Sequence, residues 1–105
     1  MSSLDDAILA RLRAALDAAY GEKLERVVLF GSRARGDARP DSDYDVAVFL
    51  KDYAGFGREA ARIAAIETDI LYDTGVVINT LPFKAGADRD RTGLMHELRR
   101  EGRDL

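Results

Sequence analysis

Apolar positions along the chain follow helical spacing in some segments and form short continuous runs in others. Apolar residues recur every three or four positions over residues 4–20 and 58–72, while residues 88–100 carry acids early and arginines late. This spacing, and charges matched to the helix dipole, predict an α-helix in each segment. Three short apolar runs rich in β-branched residues predict buried strands, at residues 26–30, 44–50 and 76–81.

Glycine and proline separate these elements. Gly75 follows the second predicted helix, where a C-terminal glycine is common, and Pro82 is expected to end the third strand. Residues 32–42 are polar and contain Gly and Pro, which predicts a loop with one helical turn at residues 32–35. The resulting order, α-β-loop-β-α-β-α, predicts an α/β or α+β fold with helices packed against a small sheet.

Composition narrows the classes of protein that this pattern allows. The chain has 105 residues, of which 47% are apolar and 33% charged, so we expect one domain over residues 1–105. A net charge of −3 argues against direct nucleic-acid binding. Cysteine is absent, which excludes disulfides and thiolate catalysis, and no apolar run approaches the ~18 residues that span a bilayer. We therefore expect a cytoplasmic protein without membrane contact.

Residues suited to chemistry concentrate between positions 30 and 46, which read FGSRARGDARPDSDYDV. Gly31 and Ser32 directly follow a strand and open the predicted helical turn, where backbone N–H groups and a hydroxyl can hold phosphate. Asp43 and Asp45 stand two apart at the start of the next strand, so both carboxylates share one face. Mg²⁺ relieves repulsion between adjacent carboxylates and prefers one or two of them plus phosphate oxygens. The segment therefore predicts phosphoryl or nucleotidyl transfer, with Asp43 and Asp45 as its metal-binding and catalytic residues.

Three other known motifs do not match the chain. Asp41, Asp43 and Asp45 match the first, third and fifth positions of an EF-hand calcium loop. Val46 stands where that loop needs glycine and Asp52 where it needs glutamate, so a calcium loop is rejected. The chain has neither a P-loop sequence nor a dinucleotide-binding G-x-G-x-x-G. A D-x-D or a Gly-Ser alone is common in proteins. Their occurrence together, next to two predicted strands, is far more specific for phosphoryl or nucleotidyl transfer.

The succession of Gly31-Ser32 and Asp43-Tyr44-Asp45 resembles the signature of the DNA-polymerase-β-like nucleotidyltransferases. The longer string GSRARGDARPDSDYDVAV is similar to the minimal nucleotidyltransferases of the MntA type. Chain length, element order and the dipeptide Glu101-Gly102 are also similar to that family. The resemblance implies a small mixed sheet with helices on one side, ATP as the nucleotide donor, and Mg²⁺ as the cofactor.

Site roles also follow from the resemblance. It implies that Asp43 and Asp45 hold the metal and that Gly31 and Ser32 hold the triphosphate. Arg33 or Arg35 assists in binding the nucleotide, and we favour Arg35.

The resemblance further implies a protein partner. Members of this type are often paired with a HEPN-domain toxin, to which the antitoxin transfers AMP from ATP. Active members usually carry a third acid on the following core strand, but here that strand has Asn79, with Asp69 and Asp73 before it. A catalytically weak or inactive antitoxin that neutralises its partner by binding alone is therefore the alternative. A small-molecule nucleotidyltransferase is a weaker third possibility, since 105 residues leave little room for an acceptor site.

Overall fold

The computed structural model describes residues 3–105, with side chains described from residue 5 onward. The described chain contains helices α1 to α4, at Ser3–Tyr20, Ser32–Arg35, Phe56–Thr74 and Gly93–Glu101. Strands β1 to β4 lie at Leu24–Phe30, Tyr44–Leu50, Ile78–Lys84 and Arg103–Asp104. Short 3-10 turns occupy Gly21–Lys23 and Ala87–Arg89. The predicted mixture of helices and strands is confirmed.

One mixed sheet carries the strands in the order β3-β2-β1-β4. Strand β2 pairs parallel with β3, whereas β1 pairs antiparallel with β2 and with β4. The register places Asp45 of β2 opposite Phe30 of β1 on one side and opposite Asn79 of β3 on the other. The first residues of the central strand β2 therefore bring together the candidate acids, the end of β1 and the start of β3.

Helices cover both faces of this sheet. On one face α1 and α3 bury a large apolar cluster that includes Leu12, Leu16, Ile63, Val46 and Val48. On the other face α4 contributes the residues of a second cluster: Met95 and Leu98 with Val28, Phe30, Ala47 and Phe49. The expectation that helices lie on one side only is wrong, because Met95 and Leu98, three positions apart, give α4 an apolar face of its own.

The side-chain alternation of β2 determines which face carries the candidate acid. Val46 and Val48 pack into the cluster under α1 and α3, whereas Ala47 and Phe49 pack under α4. Because alternate strand residues share a face, Asp45 lies on the same face as Ala47 and Phe49. The candidate acid is therefore on the side of the sheet that α4 partly covers.

Several element boundaries differ from the sequence-based expectation, and two of these differences have a clear physical cause. Pro82 does not end β3 but lies within it, since β3 is the edge strand and a residue without an N–H is tolerated there. The last helix begins at Gly93 rather than residue 88, because the Thr92 hydroxyl caps it by accepting the Met95 N–H at 3.2 Å. Strand β4 was not predicted, since two residues carry no periodicity. No helix in the described residues is long and apolar enough to cross a bilayer.

Candidate active site

The turn between β1 and α2 brings backbone and carboxylate into close contact. Gly31 adopts φ 74° and ψ −156°, a conformation that is essentially restricted to glycine. Its carbonyl accepts the N–H groups of Ala34 and Arg35, each at 3.1 Å, which starts α2. A Cβ atom at Gly31 would lie 2.6 Å from Oδ2 of Asp45. Glycine is therefore needed here both for the turn and for the approach of the carboxylate.

Asp43 and Asp45 form the feature that we call the carboxylate platform. Asp45 lies half-buried within β2, while Asp43 is exposed just before the strand. The Asn79 amide donates a hydrogen bond to Oδ2 of Asp43 at 3.0 Å. Burial, and then the negative charge of Asp43, raise the pKa of Asp45, while the nearby amide of Asn79 lowers it. The platform holds two mutually repelling carboxylates, and a bound cation would relieve that repulsion.

The donor atoms of the platform suit Mg²⁺ held together with a nucleotide. No group of three or more His, Cys, Asp or Glu side chains suited to a metal ion occurs in residues 5–105. Strand β3 places Asn79, an amide rather than an acid, in register with Asp45. Mg²⁺ is commonly bound by one or two carboxylates plus substrate phosphates, and the Asp43–Asp45 pair meets that requirement. The predicted metal residues thus fit a cation that the nucleotide helps to bind.

Ser32 is the first residue of α2 and lies next to the Gly31–Asp45 contact. Its side chain is half-buried, and its hydroxyl makes no hydrogen bond to any part of the chain that the structure describes. The structure therefore brings Gly31, Ser32 and Asp45 together, and leaves the Ser32 hydroxyl available to a ligand.

Arg33 is committed to holding the loop that precedes β2. Its guanidinium donates to the carbonyl of Ser42 at 2.8 and 3.2 Å and to that of Pro40 at 3.2 Å. It also pairs with Asp5 at 3.3 Å and lies 4.3 Å from the ring centre of Tyr44. The Tyr44 hydroxyl donates a further hydrogen bond to Asp5. Arg33 therefore braces this loop through its contacts, whereas Tyr44 packs away from the platform, as strand alternation predicts.

Arg35 points the other way, toward α4. Its Nε donates to Asp37 at 3.3 Å, and its Nη1 donates to Glu97 at 3.2 Å and to Glu101 at 3.5 Å. The positive charge of Arg35 lowers the pKa of Asp45 and the negative charge of Glu97 raises it, so both lie within electrostatic range of the platform. Sequence reasoning missed Glu97. The available signal was the four-residue spacing of Glu97 and Glu101, which places both on one face of α4.

A cavity of about 500 Å³ opens beside Asp43 of the platform. It is lined by loop residues 38–43, by Arg33 and Tyr44, and by residues 75–77. Asp43 lines this cavity, while Asp45 and Ser32 do not. The cavity therefore borders the platform at Asp43 alone.

The fold and this arrangement define a nucleotidyltransferase domain. The chain belongs to the nucleotidyltransferase family, since the model of the family described as "Nucleotidyltransferase domain" matches residues 9–96. This confirms both the family and the enzyme class predicted from the Gly-Ser and D-x-D pattern. A curated relative, "Putative protein adenylyltransferase MJ0141" of Methanocaldococcus jannaschii, is 35% identical over 63 residues. That match covers 60% of this chain and 63% of the relative, which is less than two thirds of its length.

Solved structures of toxin–antitoxin proteins share the fold. A toxin–antitoxin crystallised with AMP-PNP has a TM-score of 0.59 at 19% identity, covering 89% of this chain and 68% of that chain. A mutant of the toxin–antitoxin MntA-HpeT has a TM-score of 0.60 at 19% identity, covering 94% of this chain and 69% of that chain. At such identities the likeness establishes the fold alone, which agrees with the predicted small mixed sheet with helices packed against it.

Proposed function

We propose that the protein is a Mg²⁺-dependent nucleotidyltransferase that moves AMP from ATP to the side chain of a partner protein. The observation that carries this proposal is the contact between the Gly31 backbone and the Asp45 carboxylate. That contact joins a turn able to hold phosphate to a carboxylate able to hold a cation. A nucleotide bound there would have its triphosphate on the turn and its metal-linked oxygens on the platform. The M. jannaschii relative, named as a protein adenylyltransferase, supports protein as the acceptor.

The reaction would be driven by positioning and by charge stabilisation. The backbone at Gly31 and the Ser32 hydroxyl would hold the β- and γ-phosphates. Asp43 and Asp45 would hold Mg²⁺, which offsets the charge that develops on the phosphates. An acceptor hydroxyl oxygen forms a bond to the α-phosphorus, and the bond from that phosphorus to the bridging oxygen breaks. Pyrophosphate leaves with the electron pair of that bond, and the proton of the hydroxyl is released to solvent. Fixing the reactants in line would supply most of the rate, as in phosphoryl transfer generally.

We further propose that the acceptor is a HEPN-domain toxin, with this chain as its antitoxin in the cytoplasm, where ATP is made. The resemblance to MntA-type proteins supports this partner, and so do the toxin–antitoxin assemblies that share the fold. A toxin neutralised by contact alone is the second candidate function. Asn79 favours it, because an amide beside Asp45 cannot accept the proton of an attacking hydroxyl as a third acid would.

Transfer of label from ATP separates the two functions. The protein is incubated with its partner, Mg²⁺ and ATP labelled on the α-phosphate, using wild type, Asp43→Asn and Asp45→Asn. Removing a group that stabilises phosphate charge typically costs about 10²–10³-fold in rate, so either variant should lose labelling to that extent. Asp41→Asn is the matched control, because Asp41 is an exposed acid of the same loop that lies outside the platform.

Toxin activity gives the second readout of the same experiment. Enzymatic neutralisation predicts that the Asp43→Asn/Asp45→Asn double variant no longer protects against the toxin, whereas Asp41→Asn still does. Full protection by the double variant without labelling would favour binding alone. Label on the partner with the double variant at the wild-type rate would overturn the assignment of the platform.

A further inference from the structure

Three acids surround the guanidinium of Arg35, although none of them belongs to the carboxylate platform. Asp37 accepts from Nε at 3.3 Å, and Glu97 and Glu101 of α4 both accept from Nη1, at 3.2 and 3.5 Å. In the described part of the chain, Nη2 of Arg35 donates to no protein group. Two edges of the guanidinium fork are therefore held by protein, and one remains available to a ligand.

We propose that Glu97 and Glu101 are positioning residues for nucleotide binding, which hold Arg35 so that its Nη2 donates to a nucleotide phosphate. This inference rests on the proposed function. Arg35 is the last residue of α2, the helix that Gly31 caps and Ser32 begins, so its guanidinium is attached to the element that would hold the triphosphate. Neither glutamate needs to touch the nucleotide, since each acts through the orientation of Arg35.

The way α4 is anchored explains why these two glutamates can hold an arginine in place. Met95 and Leu98 are buried against the sheet, which fixes the helix on the face that carries Asp45. At the helix end Gly102 meets the Leu98 carbonyl and the Val28 side chain so closely that no Cβ fits there. Gly102 therefore lets the chain turn directly from α4 into β4. The position of Glu101, one residue earlier, is fixed by that turn.

Removing these glutamates should tighten nucleotide binding if only their charge matters, and should weaken it if they position Arg35. A measurement of nucleotide binding therefore distinguishes the two. Glu97 lies close enough to Asp45 to raise its pKa, so removing Glu97 takes a negative charge away from the proposed phosphate site. Because the repulsion between Glu97 and an anionic nucleotide would be lost, electrostatics alone would make the nucleotide bind more tightly. A positioning function predicts weaker binding, because an unrestrained Arg35 must be ordered again each time a nucleotide binds.

Direct binding of Mg²⁺–AMP-PNP, measured by calorimetry on the full chain, tests this without depending on transfer activity. Exposed ion pairs contribute modestly, so we expect Glu97→Ala and Glu101→Ala each to raise Kd by up to about 5-fold, and the pair by about 10-fold. Glu101→Gln keeps an acceptor oxygen and should recover part of the loss. Arg100→Ala is the control on the same helix. Arg100 pairs with Glu101 but is not one of the groups that hold Arg35. The Kd of Arg100→Ala should therefore stay within about twofold of the wild-type value.

A double-mutant cycle identifies the route through Arg35. In an Arg35→Ala background the glutamate substitutions should change Kd by less than about twofold, because the group that they position is gone. An equal loss in that background would overturn the inference, as would unchanged or tighter binding by the glutamate variants in the wild-type background. A wild-type protein that binds no nucleotide contradicts the proposed function itself, whereas wild-type binding without coupling to Arg35 contradicts only this inference.

Discussion

Replacing Gly31 by alanine would place a methyl group against the carboxylate of Asp45. The new Cβ would lie 2.6 Å from Oδ2, whereas ordinary contact begins at 3.4 Å. The two groups must therefore move apart by about 0.8 Å to reach that limit. The backbone of Gly31, at φ 74° and ψ −156°, also lies in a region that other residues occupy only at a cost of about 1–3 kcal/mol.

Two consequences of Gly31→Ala can be measured separately. The free energy of unfolding, from urea titration, should fall by about 2 kcal/mol because of the backbone strain. Transfer of AMP should fall by about 10²-fold, because displacing a group at the reacting centre by close to 1 Å has an effect of that size.

Gly36→Ala provides the matched control. Gly36 directly follows α2 and caps it at φ 83° and ψ 11°, but a Cβ there would have no atom within 4 Å. It should lose about 1–2 kcal/mol of stability through its left-handed backbone and keep its transfer activity. The reasoning fails if Gly31→Ala transfers AMP at the wild-type rate, or if Gly36→Ala loses as much activity as Gly31→Ala.

Three further substitutions change ionisable or polar side chains on β2 and β3. Burial and the charge of Asp43 raise the pKa of Asp45, so its ionisation opposes folding at neutral pH; Asp45→Asn should raise Tm at pH 7 by calorimetry, with no gain below about pH 3. Burial and the hydrogen bond to Asp5 raise the pKa of Tyr44 to about 12, so stability should fall between about pH 10 and 12, and urea titrations of Tyr44→Phe should show a shallower fall. Asn79→Asp replaces the donor to Asp43 with a third carboxylate, so its Tm should drop without divalent ions and rise more on adding Mg²⁺ than that of wild type. A lower Tm for Asp45→Asn at pH 7, an unchanged alkaline slope for Tyr44→Phe, or equal Mg²⁺ responses for Asn79→Asp and wild type would contradict these assignments.

Local sequence patterns identified the residues that lie together at the candidate site. Gly31 and Ser32 directly follow β1, and Asp45 is the second residue of β2, so antiparallel pairing of the two strands brings them close. The preference for Arg35 as the nucleotide-binding arginine is not tested by the geometry, although Arg33 is occupied by loop carbonyls. The metal-binding function of Asp43 and Asp45 likewise stays a prediction.

Such local patterns do not predict contacts between segments that are far apart in the sequence. Arg35 and Glu97 are 62 positions apart, and their contact depends on α4 crossing to the sheet face opposite α1 and α3. Apolar periodicity shows that α4 has a buried side, but it does not show which face of the sheet that side meets. The prediction that Pro82 ends the third strand was wrong for a similar reason. The edge position of β3, which allows a proline within the strand, is a property of the whole sheet.

The central claim is that Asp43 and Asp45 support transfer of AMP to a protein. The most direct test is mass spectrometry of the partner after incubation with the protein, ATP and Mg²⁺. We predict a mass increase of one AMP group with wild type, and none when Asp43→Asn/Asp45→Asn replaces it or when EDTA removes the metal. An unmodified partner that wild type nevertheless neutralises would contradict the account, and so would AMP addition that proceeds without the two acids.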